Sequence, residues 1–126
     1  MTHDKEVNKS GKQAMRFNQG KPELSYILST PEALRGLSKV FTAGAKKYSR
    51  DNWKLGLPTN QLVDSALRHL VAYLEGEDLD LNPETNTSDD NYSGLPHVDH
   101  ALWNLLILAE QYRTMPDLRP SAGGAQ

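Results

Sequence analysis

The chain has 126 residues, 37% of them hydrophobic, and a formal net charge of −2, which together are typical of one soluble domain and disfavour nucleic acid as the main partner. Because it contains no cysteine, disulfides and thiolate metal sites are excluded. No apolar run approaches the roughly 20 residues that span a bilayer, and the N-terminus lacks the apolar core of a signal peptide, so we expect a cytoplasmic protein without a membrane partner.

The N-terminal part shows little hydrophobic periodicity. Residues 1–14 are polar, which predicts a mobile tail. Residues 15–30 combine Gly20 and Pro22 with a short apolar patch, which predicts a loop with an extended piece. Lys21 stands between this glycine and proline, either in a plain surface turn or as a cation for a bound anion.

The first predicted helix begins at Pro31. Thr30 can cap it, and proline is well tolerated in the first turn. Apolar residues then recur at helical spacing. Lys46 and Lys47 stand near its C-terminal end, where cations complement the helix dipole.

A loop over residues 49–57 follows this helix and contains Asn52 and Trp53. Trp53 has two interpretations that the sequence leaves open. It is either a platform on which a nucleobase stacks or the plug of a small hydrophobic core.

The second predicted helix starts at Pro58-Thr59 and ends between Gly76 and Leu79. Leucine and alanine recur along it as an apolar stripe, with Arg68 on the other face. Residues 81–95 are polar and rich in turn-forming residues, which predicts a loop that is long for a compact domain.

The third predicted helix runs from about Pro96 to Arg113. His97, His100 and Asn104 form a polar stripe along it at i, i+3 and i+7. Three helices with shorter connectors predict an all-α fold. Because three helices do not easily close a four-helix bundle, we expect oligomerisation, as a homodimer or homotetramer, to complete the core.

Two polar clusters indicate a candidate metal centre. Glu77 and Asp80 stand three apart at the end of one helical pattern, and His97 and His100 stand three apart at the start of the next. Carboxylates suit Mg²⁺ or Mn²⁺, and neutral imidazole can bind Mn²⁺ or Zn²⁺. Solvated acids at a helix end, and protonated histidines that hold phosphate, are the alternatives. The basic residues around this centre, which suit a polyphosphate ligand, are Lys21, Lys46, Lys47 and Arg68.

Several separate segments give the chain a family resemblance. GKPELSYILSTPEAL, GAKKYSRDNWKLG, RHLVAYLEGEDLD and SGLPHVDHALWN, in this order, resemble the phage and bacterial dATP/dGTP diphosphohydrolases. These are distant relatives of the MazG and HisE all-α nucleotide pyrophosphohydrolases. The likeness covers about residues 16–112. It implies a MazG-like helical bundle, with an all-α pyrophosphohydrolase domain over residues 15–114 and a flexible C-terminal tail over residues 115–126.

The resemblance also implies an activity and roles for particular residues. It implies that dGTP, or dATP, is converted to the monophosphate and pyrophosphate with two or more Mg²⁺ or Mn²⁺ ions. The wider superfamily carries metal on an ExxE pair and an ExxD pair, whose positions here are Glu77-x-x-Asp80 and His97-x-x-His100. Since histidines replace two carboxylates, Asp99 and Glu75 are candidates for a further ligand, and Glu75 also for the general base. The candidate substrate-binding residues are Lys21, Lys46, Lys47, Tyr48, Asn52, Trp53, Arg68 and Asn104.

The resemblance further implies a biological setting, namely a phage that uses the dGMP product to make a 2-aminoadenine nucleotide in its host's cytoplasm. Two other functions stay open. One is an HD-type triphosphohydrolase, which needs a His-Asp pair in a core helix, whereas this chain has Asp99-His100 in the reverse order. The other is a non-enzymatic helical module that binds nucleotide.

Overall fold

The computed structural model describes Gly11 and residues 13–120. Within these residues no strand forms beyond isolated β-bridges, which confirms the predicted all-α class. The chain divides into two compact units, Met1–Leu34 and Arg35–Gln126. The α-helices are α1 (Pro31–Lys47), α2 (Thr59–Leu74) and α3 (His97–Thr114), and 3₁₀ helices occupy Leu24–Ser29, Asn52–Leu55 and Pro116–Leu118.

In the first unit, the extended piece predicted within residues 15–30 is instead the 3₁₀ helix Leu24–Ser29. Its hydrogen bonds span three residues, from Tyr26 N to Glu23 O and from Thr30 N to Ile27 O, each at 3.1 Å. The Thr30 hydroxyl also donates to Ile27 O. These hydrogen bonds within the segment satisfy its backbone polar groups. The short apolar patch in the sequence did not indicate a 3₁₀ helix.

Helix α1 has the predicted bounds and contacts α3 through a few side chains. A Cβ atom at Gly36 would collide with the carboxylate of Asp99, so a larger residue there would require that side chain to move. Further along α1, the ring of Phe41 packs edge-on against Trp103 at 5.8 Å between centroids. Val40 is buried. Gly36 and Phe41 are thus two points at which α1 contacts side chains of α3.

Helices α2 and α3 form an antiparallel hairpin that holds most of the core. Its buried apolar residues include Leu62 and Ala66 from α2 and Ala101 and Ile107 from α3. At the far end, Gln111 is 2% exposed, and its amide bonds both backbone groups of Leu57, at 2.7 and 2.9 Å. A buried amide that satisfies both of its polar ends costs little and fixes where α2 begins relative to α3.

Helix α2 ends at Leu74, earlier than predicted, because Gly76 adopts a φ of +97°. This left-handed conformation stops the helix and turns the chain. The prediction that Glu77 and Asp80 belong to a helical pattern was therefore wrong. Both lie in the connecting segment, which is as irregular over residues 81–95 as expected.

Past α3, the 3₁₀ helix Pro116–Leu118 is attached to the hairpin. Thr59 Oγ1 donates to Leu118 O at 2.6 Å, and Arg119 Nε donates to Tyr112 O at 2.6 Å. This segment lies within the predicted C-terminal tail. The rest of that tail, residues 121–126, and residues 1–10 and 12 of the predicted N-terminal tail lie outside the described residues. None of the helices described is both long and apolar enough to cross a membrane.

Candidate active site

The backbone after α2 pairs with the backbone before α3, and this pairing assembles the site. Asp80 N donates to Leu95 O at 2.9 Å, and His97 N donates to Asp78 O at 2.9 Å. Gly94 N closes the pairing by donating to Asp80 O at 2.7 Å. The carboxylates after α2 are thereby brought to the first turn of α3.

Two acid–imidazole pairs result. His97 Nε2 lies 4.0 Å from Glu77 Oε2, and His100 Nε2 lies 3.8 Å from Asp80 Oδ2. Glu77 is mostly exposed, with 64% of its side chain accessible, whereas Asp80 is 18% accessible. The structure thus brings together the four residues predicted to share one space. The two acids reach the histidines because the backbone of the connecting segment pairs with the segment before α3, and not because the acids share a helix face.

Ser93 links the second pair and was not expected from the sequence. Its Oγ lies 2.5 Å from His100 Nε2, and its backbone N donates to Asp80 Oδ2 at 3.1 Å. Its hydroxyl also lies within donating distance, 3.3 Å, of the same carboxylate oxygen. One serine in a polar loop carries no signal of its own, so only the tertiary structure identifies it.

His69 of α2 is the second functional candidate that the sequence did not reveal. Its ring stacks on that of His100, with centroids 4.5 Å apart and planes 10° apart. Its Nδ1 lies 2.9 Å from Nδ1 of His97. A signal did exist, because His69 follows Ala66 by three residues and so continues the apolar stripe of α2 towards the core.

Burial keeps two of these imidazoles neutral. Burial, and then the neighbouring His100, together lower the pKa of His69 from 6.5 to about 4, with Asp80 opposing them. Burial also lowers the pKa of His100, against the opposing effect of Asp80. Near neutral pH these rings therefore offer lone pairs and single N–H donors, and the protonated form that would clamp phosphate is disfavoured at His100.

A cleft of about 610 Å³ connects this centre with the cations of α1. Lys46 and Lys47 line it together with Asp80, Ser93 and His100. Residues 89–91 of the long loop complete the lining with Asp89, Asp90 and Asn91. Two predicted phosphate-binding residues thus share a cavity with two residues of the predicted metal centre.

The donor chemistry of the centre fits a hard divalent ion. Glu77 and Asp80 supply carboxylate oxygens, and neutral imidazole is a suitable ligand for Mn²⁺. As the side chains lie, however, no three histidine, aspartate or glutamate residues in the described chain are arranged to hold a metal ion.

Asp99 is directed elsewhere, because its carboxylate packs against Gly36 of α1. Trp53 lines a separate cavity of about 490 Å³ together with Phe41 and Thr42 of α1. These α1 residues do not line the cleft of Lys46 and Lys47. The ring of Trp53 also contacts Phe41 edge-on at 6.2 Å. The positions of these two side chains therefore do not support the predicted role of Asp99 as a metal ligand or of Trp53 as a platform for a nucleobase.

The remaining candidates are dispersed. Arg68 and Asn104 line a cavity of about 320 Å³ between α2 and α3, and Asn104 Nδ2 donates to His100 O at 2.8 Å. Asn52 begins a 3₁₀ helix, and Glu75 caps the C-terminus of α2. Tyr48 is exposed at the end of α1, with the Lys47 ammonium 5.5 Å from its ring centre. Lys21 belongs to the first unit, where it lines a surface groove with residues 18–19 and 22–25.

Comparison with known proteins identifies one family. A family model described as dATP/dGTP diphosphohydrolase, N-terminal, matches residues 11–119. The match includes both acid–imidazole pairs, His69, Ser93 and the lysines of the cleft. No curated protein and no solved structure matched the chain.

Proposed function

This chain belongs to the dATP/dGTP diphosphohydrolase N-terminal family, and we propose that it converts dGTP, or dATP, into the monophosphate and pyrophosphate. The family name describes hydrolysis of these deoxynucleoside triphosphates. The observation that carries the proposal is the cleft that Lys46 and Lys47 line with Asp80 and His100. Cations beside an acid–imidazole centre suit a substrate with a polyphosphate chain.

Lys46 and Lys47 bind the polyphosphate in this proposal. Both stand at the end of α1 and are exposed, so they can follow the β- and γ-phosphates without a large desolvation cost. Neutralising these phosphates also stabilises pyrophosphate as it leaves, because its negative charge grows when the bond to the α-phosphorus breaks.

Glu77 and Asp80 would hold two or more Mg²⁺ or Mn²⁺ ions, with His97 and His100 as candidates for further ligands. When bound, the divalent ions polarise the α-phosphate and lower the pKa of a water molecule. Ser93 holds the Asp80 carboxylate through its backbone N–H, which keeps one oxygen of Asp80 in a fixed place.

The reaction joins a water oxygen to the α-phosphorus and breaks the bond from that phosphorus to the oxygen bridging to the β-phosphorus. The water must lose a proton, and the His100 imidazole and the Glu75 carboxylate are the candidate bases. His100 is neutral and its Nε2 contacts Ser93 Oγ at 2.5 Å. Imidazole and hydroxyl therefore form a short path along which a proton can move.

The biological role belongs to the same proposal and is supported by the resemblance of the sequence to phage enzymes. The dGMP product would supply the synthesis of a 2-aminoadenine deoxynucleotide in an infected cell. The enzyme would then act in the cytoplasm of the host.

Phosphorus NMR of the products tests the reaction. We expect dGTP or dATP, supplied with Mg²⁺ or Mn²⁺, to give a monophosphate and pyrophosphate. Tripolyphosphate as the first product would instead assign the chain to the triphosphohydrolases. Binding of nucleotide without turnover under any metal condition would indicate a non-enzymatic module.

The role of the cleft is tested by Lys46→Gln and Lys47→Gln. Each loses one phosphate-binding charge, so we expect KM to rise by about tenfold with a smaller change in kcat. Lys39→Gln is the matched control, because Lys39 is an exposed lysine of α1 that does not line the cleft. An equal effect of all three substitutions would contradict the assignment.

A further inference from the structure

The cavity of about 320 Å³ between α2 and α3 has no part in the reaction steps proposed above. Leu57, Leu62 and Trp103 give it apolar walls, and polar side chains that include Arg68 and Asn104 line the rest. Sites for small molecules combine apolar walls with a few polar groups in this way, and their volumes begin at about 300 Å³. The cavity therefore has the size and the lining of a site for one small organic group.

Trp103 lines this cavity and carries a polar group that is not satisfied. Its indole Nε1–H is buried and has no hydrogen-bond acceptor among the described residues. A buried donor without an acceptor destabilises a folded protein, which is why such groups are few in native structures. A ligand atom that accepts this hydrogen bond would remove the cost.

Asn104, the next residue along α3, adds an acceptor to the same cavity. Its side chain is 6% exposed, and its Nδ2 donates to His100 O at 2.8 Å. Because a carbonyl only accepts, this bond fixes which way the amide is turned. Its Oδ1 receives no hydrogen bond from any residue in the described part of the chain. Two consecutive residues thus line the cavity, one with a free donor and one with a free acceptor.

The complementary ligand has an acceptor beside a donor. Purine bases have this pattern on the Watson–Crick edge, as O6 beside N1–H in guanine and as N1 beside the 6-amino group in adenine, and proteins read bases by this edge. The cavity also neighbours the cleft of Lys46 and Lys47. Asn104 follows His100 by one helical turn, about 6 Å along α3, and His100 lines that cleft. A nucleotide with its phosphates in the cleft can therefore place its base in the cavity.

We propose that this cavity is the nucleobase subsite, and the proposal rests on the proposed function for the identity of the ligand as dGTP or dATP. Trp103 Nε1 donates to O6 of guanine or N1 of adenine, and Asn104 Oδ1 accepts from the neighbouring N–H of the base. Both are specificity-determining residues rather than catalytic ones. The base is thus recognised from α3, and not by Trp53, which lines a separate cavity.

The indole N–H signals test the proposal directly. The chain has two tryptophans, so its ¹H–¹⁵N spectrum contains two such signals, and Trp53→Phe assigns them. The probe is the α,β-methylene analogue of dGTP with Mg²⁺, in which carbon replaces the oxygen of the bond to be broken. We expect the Trp103 signal to move downfield when this analogue binds. The same triphosphate analogue of deoxyribose without a base is the control and should leave that signal in place. Equal shifts with both ligands would overturn the proposal.

Affinities measured by calorimetry provide a second test. Trp103→Phe keeps an aromatic ring against Phe41 but lacks the N–H group, so we expect the Kd of the dGTP analogue to rise by about tenfold while that of the base-free analogue stays within about twofold. Equal weakening of both ligands would show that Trp103 only packs. Methylation of guanine N1 removes the proton that Asn104 accepts, so this analogue should bind the wild type about tenfold more weakly. Unchanged affinity for it would remove Asn104 from the subsite.

These measurements separate the subsite from the proposed reaction, because neither analogue is cleaved. Base-dependent binding without hydrolysis of dGTP would support the subsite and contradict the reaction. Hydrolysis of dGTP with equal responses of Trp103 to both analogues would leave the reaction standing and overturn the subsite. The indole spectrum keeps Trp103 intact, so it remains decisive if Trp103→Phe does not fold. A protein that binds neither analogue would contradict both proposals.

Discussion

Glu77 combines an exposed side chain with a position beside a buried imidazole, so its substitution separates function from stability. We expect Glu77→Gln to lower turnover by about a hundredfold or more, since a carboxylate ligand is lost. Because the side chain is mostly exposed, the free energy of unfolding should change by about 0.5 kcal/mol or less. Glu84→Gln, in the exposed part of the same connecting segment, is the control and should retain full activity. A fully active Glu77→Gln enzyme at ordinary magnesium concentrations would remove the proposed metal centre.

His100 can be tested for metal binding against phosphate binding. Burial lowers its pKa, and a neutral ring suits a metal better than it suits a phosphate. We therefore expect His100→Gln to lose activity and to recover part of it when Mn²⁺ is raised, because the lost ligand weakens metal affinity. A higher KM that added Mn²⁺ does not correct would assign His100 to the phosphates instead.

The contribution of Asp89 to the stability of the fold depends on pH in a direction that its hydrogen bonds predict. A hydrogen bond from Asn82, and then one from the backbone of Asn91, lower the pKa of Asp89 below 3.8. The folded protein thus favours the ionised form, so the stabilisation is present above pH 3.8 and is lost as the pH falls through the lower folded value.

We expect Asp89→Asn to melt below the wild type at neutral pH, because its amide nitrogen cannot accept the bond from Asn82. The difference in melting temperature should shrink under acidic conditions, where the carboxyl is protonated. A constant difference across the pH range would exclude this carboxylate as the cause.

At the scale of elements, the end of α2 depends on Gly76. Its φ of +97° is costly for any residue with a Cβ atom, so Gly76→Ala should destabilise the fold by about 1–2 kcal/mol. The control is Gly44→Ala in α1, where no atom lies within 4 Å of the added methyl group. There alanine should stabilise by about 0.5–1 kcal/mol, since it lowers the entropy cost of forming the helix. Urea unfolding measures the free energy of unfolding of both variants. If alanine stabilised the fold at both positions, Gly76 would not be required to end α2.

The same turn has a functional consequence. Because Gly76 redirects the chain, Glu77 and Asp80 reach the first turn of α3 rather than continuing along α2. We therefore expect the folded Gly76→Ala protein to be less active than the folded wild type, in addition to any activity lost through unfolding. Turnover of the folded fraction, measured well below the unfolding transition, provides the comparison.

At the scale of the whole molecule, α2 and α3 leave many apolar side chains exposed. A groove of about 500 Å³ between these helices is lined by Val63, Leu105 and Tyr112 among others. Exposed apolar surface of this kind marks an interface in many proteins. The exposed apolar residues of the two helices include Leu67, Val71, Leu74, Val98, Leu102 and Leu105.

We propose that a second copy of the chain covers this face, as a homodimer or homotetramer with a four-helix core. Light scattering should show at least a dimer at micromolar concentration. Leu105→Glu should dissociate it, because an acid would be buried in the interface. Leu55→Glu is the control, since Leu55 is exposed in the 3₁₀ helix Asn52–Leu55, outside α2 and α3. A wild-type monomer would contradict the proposal.

The helical class, and the extents of α1 and α3, could be predicted from the sequence because they depend on local signals. Pro31 begins α1, and lysines end it. The apolar period of α3 continues to Tyr112, and the helix ends two residues later, at Thr114. The sequence also determined which residue types could meet at the centre, since two acids and two histidines flank a single connecting segment. Such features act over a few residues, and the type of each side chain is given by the sequence alone.

Only the tertiary structure decided how those residues meet. Asp80 reaches His100 because the backbone of the connecting segment pairs across residues 78–97, and no local propensity encodes that pairing. Burial made His69 and His100 neutral, and it depends on what packs around each ring. Ser93 and His69 joined the centre for the same reason, because contacts between segments distant along the chain arise only once the core has formed.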